Sequence, residues 1–150
     1  MNWQPEITVA AVIEREQRFL IVEERIGHRA VLNQPAGHVE HGESLLAAVC
    51  RETLEESAWQ FTPESLTGIY LWRPRSGRHT LRFTFCGSIA AHDPARPLDH
   101  PVIATHWLTR AELLARTAVL RTPVVLRSID DYLAGQRLPL SAIGELGASP

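Results

Sequence analysis

The spacing of the glutamates in Arg51-Glu52-Thr53-Leu54-Glu55-Glu56 constrains this chain more than any other feature. On a helix, residues three and four apart share a face, so Glu52, Glu55 and Glu56 converge on one point. Three carboxylates gathered there repel one another, and a cation is needed to hold them together. The stretch is therefore a divalent metal site in outline. Upstream, Gly37 and Gly42 bracket a loop, Gly37-His38-Val39-Glu40-His41-Gly42-Glu43, that can take backbone angles closed to other residues. Seven residues separate Glu43 from Arg51, so the loop leads into a helix, expected over 43–57, that carries the carboxylates further along.

The rest of the chain is read as one domain over residues 1–150, because no composition shift marks a boundary and 45% hydrophobic content suffices for a sizeable core. A net charge of −2 gives no basic field for a polynucleotide, so no nucleic-acid polymer is expected as partner. All fifteen basic residues are Arg, a bias read as genomic composition before phosphate recognition. The first residues lack a basic segment followed by an apolar run, and no stretch approaches membrane-spanning length. The expectation is a cytoplasmic monomer with Cys50 and Cys86 as reduced thiols.

Apolar and β-branched runs at Ile7 to Ile13 and Phe19 to Val22, joined by a polar segment, read as a hairpin of two buried strands. A short strand is expected at Ala30 to Leu32, after which Pro35 ends regular structure. Leu66 to Arg73 and His79 to Ile89 flank Ser76-Gly77 as a second strand pair, and Ile103 to Leu108 is the last strand. Thr109-Arg110-Ala111-Glu112 has capping-box spacing. Thr122-Pro123 opens a further helix that Gly135 stops. The tail from Leu138 onward is expected to pack loosely.

Oxygen-only ligands on one helix face suit magnesium, with manganese as the alternative ion, and such sites act on phosphates. The segment from Gly37 through Glu43, Arg51 and Glu52 to Glu55-Glu56 resembles the signature box of the Nudix hydrolases, with six defining positions over twenty residues. The resemblance implies an α/β fold, an α/β/α sandwich with a mixed β-sheet between helices. It also implies magnesium-dependent attack of water on a small-molecule phosphoanhydride. By the same resemblance Glu52, Glu55 and Glu56 bind metal with the Gly37 carbonyl as a further ligand, Glu52 is a candidate general base, and Arg51 and Glu43 support the carboxylates.

Flanking segments, among them Asn33 to His38 and Gly135 to Leu140, resemble one phosphatase subgroup of that family. This implies nucleoside di- and triphosphates, and the pyrophosphate of the thiamine pyrimidine precursor, as substrates with orthophosphate released. Two alternatives stay open: cleavage of a nucleoside diphosphate linked to another group, such as ADP-ribose or a dinucleotide, and a catalytically silent nucleotide-binding module.

Substrate selection must come from outside the box. Strand alternation puts Arg82 on the opposite face from Leu81 and Phe83, making it the preferred phosphate or base contact. Arg25, Arg73, Arg75 and Arg78 are further candidates to grip phosphate, Arg25 foremost among them. Trp72 and Tyr70 stack on a ring or belong to the core, whereas Trp59 and Trp107 are read as core. The resemblance implies a further acidic residue from the loop before the last strand, and Asp99 is the carboxylate there, an additional candidate base, metal ligand or substrate contact. Two residues depart from the family pattern: Ala58 stands where glycine is usual after the helix, at a cost of about 1 kcal/mol if a left-handed backbone is required, and Thr53 replaces an aliphatic residue, its hydroxyl able to bond the carbonyl one turn back.

Overall fold

The computed structural model describes residues 3–147. Alternation along the first strand, β1 (Glu6–Val12), sets the architecture. Val9 and Ala11 point into a core closed by helix α1 (Leu45–Ser57), with Ala48, Val49, Leu66 and Phe85. Val12 points into a second core with Leu32, Leu113, Val125 and Ile129, closed by α2 (Arg110–Leu114) and α3 (Val124–Leu133). Each fully buried aliphatic or aromatic side chain in these cores contributes roughly 1.5–3 kcal/mol. Helices therefore cover both faces, the α/β/α layering expected.

The central sheet is mixed. β1 pairs antiparallel with β5 (Ala36–His38) and parallel with β7 (Thr80–His92), and β7 pairs antiparallel with β6 (Trp59–Trp72), in the order β5-β1-β7-β6. A second, antiparallel sheet is built on β3 (Arg18–Ile26), which pairs with β2 (Glu14–Arg15), β4 (Arg29–Asn33) and β8 (Val102–Leu108).

Three sequence expectations need correction. The hairpin of the first two runs exists only at its tip, Glu14 opposite Phe19 and Arg15 opposite Arg18, because β1 leaves for the other sheet at Val12. Both runs are apolar on both faces, so periodicity could not assign them to one sheet or two. Pro35 does not end regular structure, since β5 follows and pairs with β1. The tail is not loose: Leu138 exchanges backbone bonds with Leu66, Leu140 and Ile143 pack on the α1 core, and Glu145 Oε1 accepts from the Leu45 N–H at 2.9 Å.

Local signals around the helices hold. Ser44 Oγ accepts from Ala47 N at 3.0 Å and starts α1. Ala58 ends it at φ 60°, ψ 17°, the left-handed conformation that glycine usually supplies. Thr53 Oγ1 donates to the Val49 carbonyl at 2.8 Å, so its hydroxyl is satisfied inside the core. The Thr109 capping box forms with Glu112, and the Thr122 hydroxyl accepts from Val124 N at 3.2 Å. Cys50 and Cys86 are free thiols. Among the described residues, no helix is long and apolar enough to cross a membrane.

Candidate active site

An open cleft of about 570 Å³ lies between the C-terminal half of α1, strand β5 and the segment entering α3. Gly37, Glu52 and Glu56 line it, so the loop and the helix face meet there. The helix is fixed against the loop by Arg51. Its Nε donates to Glu43 Oε1 at 2.7 Å, Nη2 to Glu43 Oε2 at 3.0 Å and to the His38 carbonyl at 3.0 Å, and Nη1 to Glu52 Oε1 and Glu55 Oε2 at 2.9 and 3.1 Å. Glu43 in turn accepts from the Glu40 N–H. One guanidinium thus bonds three carboxylates. The Arg51 bond holds the Glu43 carboxyl below the usual range.

Gly37 is required for a different reason than a special backbone angle. The positive φ of the loop belongs to Gly42, at 77°, whereas Gly37 makes room for Glu52. An ideal Cβ at Gly37 would lie 2.1 Å from the Glu52 carboxyl.

Burial dominates the charge state of Glu52 and Glu56. Glu56 is 8% exposed, and burial followed by the nearby charges of Glu24 and Glu52 pushes its pKa up to about 9, against a bond from the Ala36 N–H. Burial also raises Glu52, although Arg51 works against it. Glu55 turns to Arg51 and does not line the cleft. Among the described residues, no three His, Cys, Asp or Glu side chains already stand together as a metal cage. The donor set still fits a hard divalent cation: its donors are oxygens, helix spacing puts the three glutamates on one face, and Glu56 ionises at neutral pH only with a positive charge beside it. Five glutamates, Glu6, Glu24, Glu40, Glu52 and Glu56, face three arginines, Arg78, Arg82 and Arg121, around the cleft. That excess of negative charge opposes a polyphosphate unless cations accompany it.

Of the candidate substrate contacts, Arg82, Trp72 and Arg78 line the cleft. Arg25 is exposed and outside it; its backbone pairs with Ala30 and its N–H donates to the Pro101 carbonyl. Asp99 is also outside; its N–H donates to the Glu55 carbonyl at the end of α1, and its neighbour Pro101 reaches the cleft instead. Tyr70 braces α3 through a 2.8 Å bond to Asp131. Trp59 and Trp107 are half-buried and hold the Arg15 guanidinium over both rings, at 4.7 and 5.2 Å.

Sequence reading assigned no role to Glu24, Asn33, Gln34 or Arg121. Glu24 is 5% exposed, accepts from Arg121 Nη1 at 3.0 Å and lies 3.5 Å from Asn33 Nδ2. The signal available was register: Glu24 follows Leu20 and Val22 at alternate positions of β3, where burial is complete. Arg121 carried none, because it sits in an irregular segment pinned by the Leu32 carbonyl.

The fold and the box geometry place the chain in a known class. The NUDIX domain model matches residues 4–128, and the chain belongs to the Nudix hydrolase family. It is 37% identical over 143 residues, 95% of this chain and 93% of the relative, to proteins called phosphatase NudJ from Shigella boydii and from Escherichia coli K12. A solved NUDIX hydrolase from Nitrosomonas europaea shares 47% identity and superposes with a TM-score of 0.92, over 95% of this chain and 98% of that one. A UDP-X diphosphatase, at 16% identity and TM-score 0.72 over 93% of this chain and 68% of its own, shares the fold.

Proposed function

We propose that the protein is a magnesium-dependent phosphohydrolase that removes orthophosphate from nucleoside di- and triphosphates and from the pyrophosphate of the thiamine pyrimidine precursor. The observation that carries this reading is the gathering of Glu52 and Glu56 at a cleft whose carboxylates outnumber its arginines. Glu52 and Glu56, with the Gly37 carbonyl, would hold the ion, Glu55 would join them on releasing Arg51 Nη1, and manganese is the alternative. When bound, the ion neutralises phosphate charge and makes water more acidic. Arg51 orients Glu52 and Glu55, and Glu43 orients Arg51. Glu52 Oε1 is held by Arg51, which leaves Oε2 to take the proton of the attacking water. The water oxygen bonds to phosphorus as the anhydride P–O bond breaks, and the remaining phosphate leaves with the organic group.

The phosphatase relatives, of nearly the same length, support terminal cleavage. A cytoplasmic protein with a small-molecule substrate fits the net charge of −2. The test is one screen of nucleotides, ADP-ribose and thiamine-pathway pyrophosphates with magnesium, scoring products. Orthophosphate supports the reading, two monophosphate fragments favour the linked-diphosphate alternative, and no turnover favours a silent module.

A further inference from the structure

Arg82 is a buried guanidinium with more donors than partners. It is 5% exposed. Its bonds go to amide oxygens only: Nη2 to Gln34 Oε1 at 2.8 Å and to Asn33 Oδ1 at 3.3 Å, and Nη1 to the same Asn33 oxygen at 3.4 Å. Its Nε–H, itself buried, has no partner among the described residues. Of five N–H donors one makes a short bond, and an arginine otherwise carries such a deficit only at a cost. Burial accordingly lowers its pKa to about 10. The amides are not free to turn away. Gln34 Nε2 donates to Ser128 Oγ at 2.9 Å and to the Val125 carbonyl at 3.3 Å, so α3 fixes its oxygen toward Arg82.

The surroundings of Arg82 suit a flat neutral group better than a phosphate. In the sheet register Thr8 and Tyr70 flank Arg82, and Trp72 lies opposite Thr80 one row outward. Thr8, Thr80, Trp72 and Arg82 all line the cleft, and Thr122 and Val124 line it from the segment entering α3. A phosphate would need two neighbouring N–H groups of a guanidinium fork, yet Nη2 is committed to Gln34. It would also come under the negative charge of Glu24, which acts on Arg82. A ring carbonyl oxygen or unprotonated ring nitrogen meets neither obstacle, since one N–H serves it and it carries no charge.

We propose that Arg82, positioned by Asn33 and Gln34, reads the edge of a planar heteroaromatic ring through one acceptor atom while Trp72 covers a face of that ring. The inference rests on the phosphoanhydride reading above and adds which part of the substrate Arg82 touches. Common nucleobases and aminopyrimidines carry such an acceptor, so the slot selects for a ring and not for one base.

The test compares kcat/KM for uridine triphosphate and for ribose 5-triphosphate, which lacks the ring, in the wild-type protein and in Arg82→Met. The expected wild-type preference for the nucleotide is about tenfold or more, carried mostly by KM, and it collapses toward one in Arg82→Met. A preference that survives Arg82→Met overturns the assignment. If that variant does not fold, the wild-type comparison decides alone: equal kcat/KM for the two substrates overturns the proposal. Absence of orthophosphate from both substrates is a different failure, that of the phosphohydrolase reading itself.

Discussion

Glu52 occupies the space that a side chain at Gly37 would need, with its Cδ and Oε1 2.1 Å from where a Cβ would stand. The obstructing atoms are the far end of a flexible side chain and not backbone, so the fold can accommodate a methyl group by moving the carboxylate. Gly37→Ala should therefore keep its melting temperature within a few degrees while losing about 100-fold in kcat, the scale of an ångström-level misplacement of a reacting group. Thermal unfolding and initial rates on the same preparation check both halves.

Arg51 ties Glu43, Glu52, Glu55 and the His38 carbonyl together and is largely shielded from solvent. Arg51→Ala leaves carboxylates of the site uncompensated and should cost about 3 kcal/mol of stability as well as activity. Arg51→Lys keeps the charge but loses the fork, and should recover stability further than rate. Denaturant unfolding of both variants beside their kcat values separates the two effects.

Ala58 is an L-residue in the left-handed region, 2% exposed, with its N–H bonded to the Leu54 carbonyl at 2.9 Å. Ala58→Gly should stabilise the protein by about 1 kcal/mol, a rise of about 2–4 °C in Tm for a chain of this size. The side chains lining the cleft are untouched, so kcat should not change. A calorimetric scan settles the stability half and an assay the other.

The pH dependence of the metal-free protein follows from Glu56. Its folded pKa, near 9, lies above the unfolded value of 4.5. Below the unfolded value both states hold the proton and nothing is lost. Between the two values the unfolded state gives up its proton more readily, so stability falls as pH rises from about 4.5 through about 9. Chelator-treated protein should unfold at lower denaturant at pH 8.5 than at pH 6.5, and Glu56→Gln should flatten that slope.

What the sequence revealed about fold and site depended on how local the determinant was. The Thr109 capping box and the Thr53 bond were readable because each is set by spacing within one turn, whereas the left-handed Ala58 and the Arg51–Glu43 pairing were implied by the family resemblance. The assignment of β1 and β3 to different sheets was not, because both runs are buried on both faces and carry no polar side to distinguish partners. The roles of Glu24, Gln34 and Arg121 depend on contacts across about 90 residues or more with the segment around α3, which no local pattern encodes. Asp99 was a reasonable candidate by position in the chain, yet it contributes its backbone to the end of α1 and not its carboxylate to the cleft.

In the proposed function Glu55 and Glu56 act with Glu52 through a divalent ion on a phosphoanhydride. The most direct measurement is orthophosphate release from a nucleoside triphosphate across a magnesium titration, in the wild type and in purified, folded Glu55→Gln and Glu56→Gln. Wild-type turnover should require magnesium and stop with chelator, and both variants should lose about 100-fold or more at saturating magnesium. Hydrolysis that persists in either variant at the wild-type rate, or that proceeds without any divalent ion, would contradict it.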